Sequence, residues 1–174
     1  MEAQVRRSIM IALIALLALV VAAPTVLAQG QKVNGVTPGD VSGTIVVESG
    51  DFPGSCNFPM QLDLSGKGKA IDLPGEVLIL TSPGLDVTVT NLDDPENQAT
   101  FNITGSLEQT TLENGNVVTV ARGRNFLIDP DAGTVIAIGN FSFVFDAKGT
   151  LIQPLEGEGQ LIDVCDLLAT SEPS

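Results

Sequence analysis

Residues 139–149, Gly139-Asn140-Phe141-Ser142-Phe143-Val144-Phe145-Asp146-Ala147-Lys148-Gly149, hold the pattern on which the fold turns. Phe141, Phe143 and Phe145 recur at every second position, with Ser142 and Asp146 opposite and Val144 between them. A period of two sends alternate side chains to the two faces of a strand, one toward a core and the other toward water. Ala147-Lys148-Gly149 then reads as a turn. The same period runs outward along the chain. Met60, Leu62 and Leu64 alternate with Gln61 and Asp63, Leu85, Val87 and Val89 with Asp86, Thr88 and Thr90, and Phe101 and Ile103 with Thr100, Asn102 and Thr104.

Turn signals separate these runs at Gly66-Lys67-Gly68, Pro74-Gly75, Pro83-Gly84, Asn114-Gly115 and Asp129 to Gly133. Asn-Gly favours a type I′ hairpin because both central residues need positive φ. The spacing predicts about ten strands, and no stretch after residue 28 keeps a helical period over three turns. Residues 162–169 read as a last strand, a short helix, or one turning into the other. The expected fold is all-β, a single antiparallel barrel, with a two-sheet sandwich as the alternative. Val77-Leu78-Ile79-Leu80 and Val135-Ile136-Ala137-Ile138 are apolar on both faces. In a sandwich they are strands covered on both sides; in a barrel they give an apolar outer patch and a route to oligomers.

The opening segment reads as an address. Arg6 and Arg7 precede an unbroken apolar stretch from Ile9 to Ala23, and Pro24 ends it. Those 15 residues suit the helix of a signal peptide and fall short of the roughly 20 that cross a bilayer. Val26-Leu27-Ala28 supplies the small residues a signal peptidase reads, so cleavage is expected after Ala28. The expected division is a signal peptide over 1–28, a flexible leader over 29–40, a β-domain over 41–169 and a disordered tail over 170–174. Removing residues 1–28 from the 174 leaves 146, with six basic and 20 acidic side chains, and no membrane attachment is expected after cleavage.

Composition excludes several chemistries. The chain has no His, so Ser-His-Asp and Cys-His catalysis and His-ligated metal centres are absent. A net charge of −13 repels a phosphate backbone, and the lack of Trp and Tyr removes the usual stacking platforms for bases and sugars. Nucleic acid is therefore not an expected partner. No cofactor is implied.

Cys56 and Cys165 are the only cysteines. In an oxidising compartment a lone pair forms one disulfide, and no C-x-x-C spacing supports a redox or metal role. Arg122-Gly123-Arg124 places two cations on one face of a strand, where paired guanidinium groups can clamp an anionic ligand. The competing reading has them paired with neighbouring acids. Asp93-Asp94-Pro95-Glu96-Asn97 and Asp129-Pro130-Asp131-Ala132-Gly133 offer oxygen ligands, but neither has an EF-hand spacing, and both read as solvated turns. Among so many carboxylates the spacing singles out no glycosidase pair. Asn102 and Asn140 open N-x-S/T sequences within strand patterns.

The stretch from Cys56 to Leu168 resembles a family of uncharacterised secreted bacterial proteins of actinomycete type. The residues that carry this are Cys56-Asn57-Phe58-Pro59, Thr81-Ser82-Pro83-Gly84, Gly123-Arg124-Asn125, Asp129-Pro130 with Ala132-Gly133, and Gly157-Glu158-Gly159-Gln160-Leu161-Ile162-Asp163-Val164-Cys165. The resemblance implies an exported compartment and a paired-cysteine frame, and transfers no catalytic residue. The expected function is a secreted, non-enzymatic β-domain that binds a small apolar or anionic ligand or a surface partner, with Arg122, Arg124 and Asn125 as the candidate ligand residues. The alternatives are an extracellular isomerase or carboxylate-based hydrolase, and a self-associating envelope protein.

Overall fold

A computed structural model describes residues 37–169. The expected signal segment 1–28, residues 29–36 of the expected leader and the tail 170–174 lie outside the described residues. Nine strands follow in order: β1 (Gly39–Val47), β2 (Met60–Leu73), β3 (Val77–Thr81), β4 (Asp86–Asn91), β5 (Gln98–Asn102), β6 (Gly105–Thr111), β7 (Val117–Asp129), β8 (Gly133–Phe145) and β9 (Leu151–Asp163). The last strand runs straight into a short helix, α1 (Val164–Leu168), whose first turn is capped by the Asp163 carboxylate accepting from the Asp166 N–H.

Every ladder is antiparallel, and the path is a meander of long, bent strands. β3 and β4 form one run along β2, with Thr81 opposite Lys69 and Asp86 opposite Ser65. The run turns a corner at Ser82–Leu85, and β5 and β6 repeat the arrangement one strand further out. The Ser82 hydroxyl pins the corner by donating to the Ile103 carbonyl at 2.6 Å. Gly66-Lys67-Gly68, expected as a turn, lies inside β2 and pairs with β1 residue by residue. Its glycines serve the bend: a β-carbon at Gly66 (φ +142°) would sit 2.2 Å from the Gly84 carbonyl oxygen.

The sheet is open, not the expected barrel. Its strand order ends at β5 and at β9, β1 pairs only with β2, and no ladder joins β1 to β9. The reason lies in β9. Pro154 has no N–H to donate, the β8–β9 register slips on either side of Val144, and Glu156 and Glu158 stand exposed along the strand. Proline, bulges and charge are devices that keep an edge strand from acquiring a neighbour. Among the described residues the strand count is nine, against the expected ten or so.

At one end of the molecule the strands separate into two layers with the core between them. Val41, Val47, Met60, Leu62, Leu64, Val87 and Val89 from β1, β2 and β4 pack with Ile136 of β8, and Phe126 and Ile162, its neighbours by register on β7 and β9, pack against the same core. This half has the character of a sandwich. Three long-range contacts shut it: the Cys56–Cys165 disulfide, the Thr134 hydroxyl donating to the Gly54 carbonyl at 3.0 Å, and the Asn91 side-chain amide donating to the Leu168 carbonyl at 3.0 Å. The other half, built by the C-terminal part of β2, β3, β6, the first part of β7, the second part of β8 and the first part of β9, contributes no residue to this core.

Candidate functional site

Register places a row of polar side chains straight across the sheet at the corner. Lys69 of β2 lies opposite Thr81 of β3, Thr81 opposite Ser106 of β6, and Ser106 opposite Arg122 of β7, with Asn140 and Glu158 completing the row on β8 and β9. Directly paired residues share a face, so these side chains project the same way. Between Lys69 and Arg122 the surface sinks into a shallow, open depression of about 470 Å³, with Thr81, Ser106 and Thr104 on its lining and Pro83 at its wall.

Two further rows on the same face are apolar on β2, β3 and β7, the first continuing as Ser142 on β8 and Glu156 on β9. Ile71, Ile79 and Val120 flank Glu108 in one, and Leu73, Val77, Val118 and Val144 flank Thr110 in the next. All seven aliphatic side chains are half-buried. This face therefore carries a cationic, hydroxyl-bearing band beside an aliphatic field.

The expected trio of Arg122, Arg124 and Asn125 does not converge on one point. Arg122 and Arg124 are exposed, while Asn125 is buried and turned inward, where its amide donates to the Arg122 carbonyl at 3.1 Å. Asn125 lines an interior cavity of about 50 Å³ with Leu64, Leu80 and Leu107. Between the two arginines Gly123 has φ +81°, and the Arg124 N–H donates to the Thr104 carbonyl, so β7 stays tied to the corner as it leaves β6. Arg122 pairs with Glu108 at 2.8 Å, with half of its side chain still in solvent. Among the described residues this is the one ion pair within 4 Å, and Arg124, Lys67 and Lys69 have none. The chain matches no protein-family model, no curated protein and no solved structure.

Lys69, Thr81 and Ser106 carried no site signal in the sequence. A signal was there in part: Lys67-Gly68-Lys69 has the same cation-glycine-cation spacing as Arg122-Gly123-Arg124. What places Lys69 and Arg122 on either side of one depression is the register of four strands, which no local pattern encodes. The two acidic loops act as turns. The Asp129 carboxylate accepts from the Asp131 and Ala132 N–H groups, and the Asn91 side-chain oxygen accepts from the Asp93 N–H. Both cysteines are committed to the disulfide, with Cys56 buried and Cys165 half-buried.

Proposed function

We propose that the protein is an exported β-domain that works by association rather than catalysis, copies joining through the aliphatic field of Ile71, Leu73, Val77, Ile79, Val118, Val120 and Val144. The observation that carries this reading is that these seven side chains share one face by register, and none belongs to the hydrophobic core. Two copies packed face to face through such a surface would bury it at the ordinary sheet-to-sheet spacing of about 10 Å. Carriage of an apolar small molecule has less support. The interior cavity of about 50 Å³ has room for one or two waters, whereas organic ligands occupy pockets of roughly 300 Å³ and more.

In this reading the chain is one of the secreted bacterial β-domains it resembles, residues 1–28 are removed on export, and the disulfide forms in the oxidising compartment where the protein works. A side-chain excess of 20 acids over six bases after cleavage keeps copies apart at low ionic strength, so association strengthens as salt screens the charge. Light scattering on residues 29–174 at low and at molar salt tests the proposal. A defined oligomer favoured by salt is expected, and the double substitution Ile79→Lys with Val120→Lys should return it to a monomer with an unchanged circular dichroism spectrum. A monomer at both salt concentrations overturns it.

A further inference from the structure

We infer that the depression between Lys69 and Arg122 is a binding site for a tetrahedral oxyanion, the phosphate or sulfate group of a small molecule or the free ion. Of the eight Lys and Arg, Arg6, Arg7 and Lys32 precede the described residues, which leaves five. Four of those five fall in two pairs, Lys67 with Lys69 on β2 and Arg122 with Arg124 on β7, and Lys69 and Arg122 line the depression, on a chain whose acids outnumber its bases 21 to 8. Scattered solubilising charge does not concentrate in this way.

Lys67 has Asp40 directly opposite it on β1, but neutralisation by neighbours does not account for Lys69 and Arg122. Arg122 spends one N–H on Glu108, and a guanidinium has five, so its remaining donors are free to fork onto a second oxyanion. Lys69 on the opposite rim has no ion-pair partner among the described residues. Three strand spacings of about 4.8 Å separate the two rims, some 14 Å between backbones, which long Lys and Arg side chains can close upon one ligand from both sides. Between them the floor offers hydroxyls in place of carboxylates. Thr81 and Ser106 donate or accept as required, and Thr81 Oγ1 is the one shielded side-chain polar atom among the described residues with no hydrogen-bond partner. A buried hydroxyl left unpaired is costly, and a turn of the Thr81 side chain toward a ligand in the depression would satisfy it. Pro83 and the Gly105 and Gly123 backbone leave the floor low enough for the ligand to enter.

The test is calorimetric titration of the protein with inorganic phosphate, sulfate and pyrophosphate at low ionic strength. Binding of at least one is expected, pyrophosphate most tightly because two charged groups can reach both rims. Lys69→Gln combined with Arg122→Gln should weaken it by about tenfold or more, the scale of losing charge-assisted hydrogen bonds. Thr81→Val, which keeps the shape and removes the hydroxyl, should weaken it several-fold, and Lys148→Gln, on a distant turn, should leave it unchanged. Lys69→Gln alone serves if the double variant fails to fold. No binding of any of the three ions overturns the inference, as does binding that ignores Lys69→Gln or falls equally with Lys148→Gln.

Discussion

Cys56 and Cys165 stand 109 positions apart in the chain and 5.3 Å apart between α-carbons, and their bond joins the loop after β1 to the helix after β9, two parts of the sheet that no ladder connects. In a closed barrel hydrogen bonds would do that work. Here one covalent bond does. Replacing both cysteines with Ser should cost about 4–5 kcal/mol, the chain-entropy value for a loop of this length. Urea unfolding of the two proteins measures it, and a loss under about 1 kcal/mol would mean that the core alone holds the layers together.

Asn91 is almost fully buried at 1% exposure, and it carries a second tie at the same end. Its amide donates to the Leu168 carbonyl while its oxygen accepts from the Asp93 N–H. Asn91→Leu keeps the branched shape with bulkier methyl ends and removes both bonds, stranding a buried carbonyl, so a loss of about 1–3 kcal/mol is expected. Faster hydrogen exchange confined to α1 and the 92–97 turn would accompany it.

Gly54 (φ +87°) passes so close to the β7–β8 turn that a β-carbon there would meet the Asp129 carbonyl oxygen at 2.0 Å. Gly54→Ala should therefore push the loop off β8 and break the Thr134 bond. Gly50→Ala is the matched control, with φ +77° and open space around it. The control should lose about 1–2 kcal/mol from backbone strain alone, and the Gly54 variant clearly more. Equal losses in thermal melts would show that the close approach carries no weight.

Asp146 governs the pH response of the β8–β9 turn. Its carboxylate accepts from the Thr150 and Lys148 N–H groups, both at 2.8 Å, and the backbone bond from Thr150 is the main cause of a pKa held below the ordinary aspartate value. A carboxyl depressed in the folded state stabilises the fold fully above its unfolded pKa, and the contribution disappears as pH falls through the folded one. The melting temperature of the wild type should therefore fall more steeply below about pH 4 than that of Asp146→Asn. Parallel pH profiles would remove Asp146 from the account.

Alternation made the strands legible because one face of each packs on a core. Met60, Leu62 and Leu64 are all buried, as are Val87 and Val89. It misread Gly66-Lys67-Gly68, since a bend inside a strand and a turn between strands call for the same glycines. Closure was illegible from the apolar pattern, because a barrel and an open sheet share it. The decisive residues were Pro154, Glu156 and Glu158, whose meaning as an edge depends on having no strand beyond them. At the candidate site Arg122 and Arg124 stood out as a pair, but Asn125 follows the strand alternation to the other face. Lys69 and Thr81 became part of the site only through pairings that bring distant segments of sequence side by side.

The meander also sets an order of events. Each ladder joins neighbouring runs of the chain, so hairpins can be laid down in sequence along it, each closing a short loop at small entropic cost. The contacts that shut the layered end span 77, 80 and 109 positions, and two of the three require residues of α1. A chain stopped at Asp163 would possess every strand and neither of those fastenings. The five residues of α1 thus decide whether the finished sheet presents proteases with a gaping wedge or a sealed one.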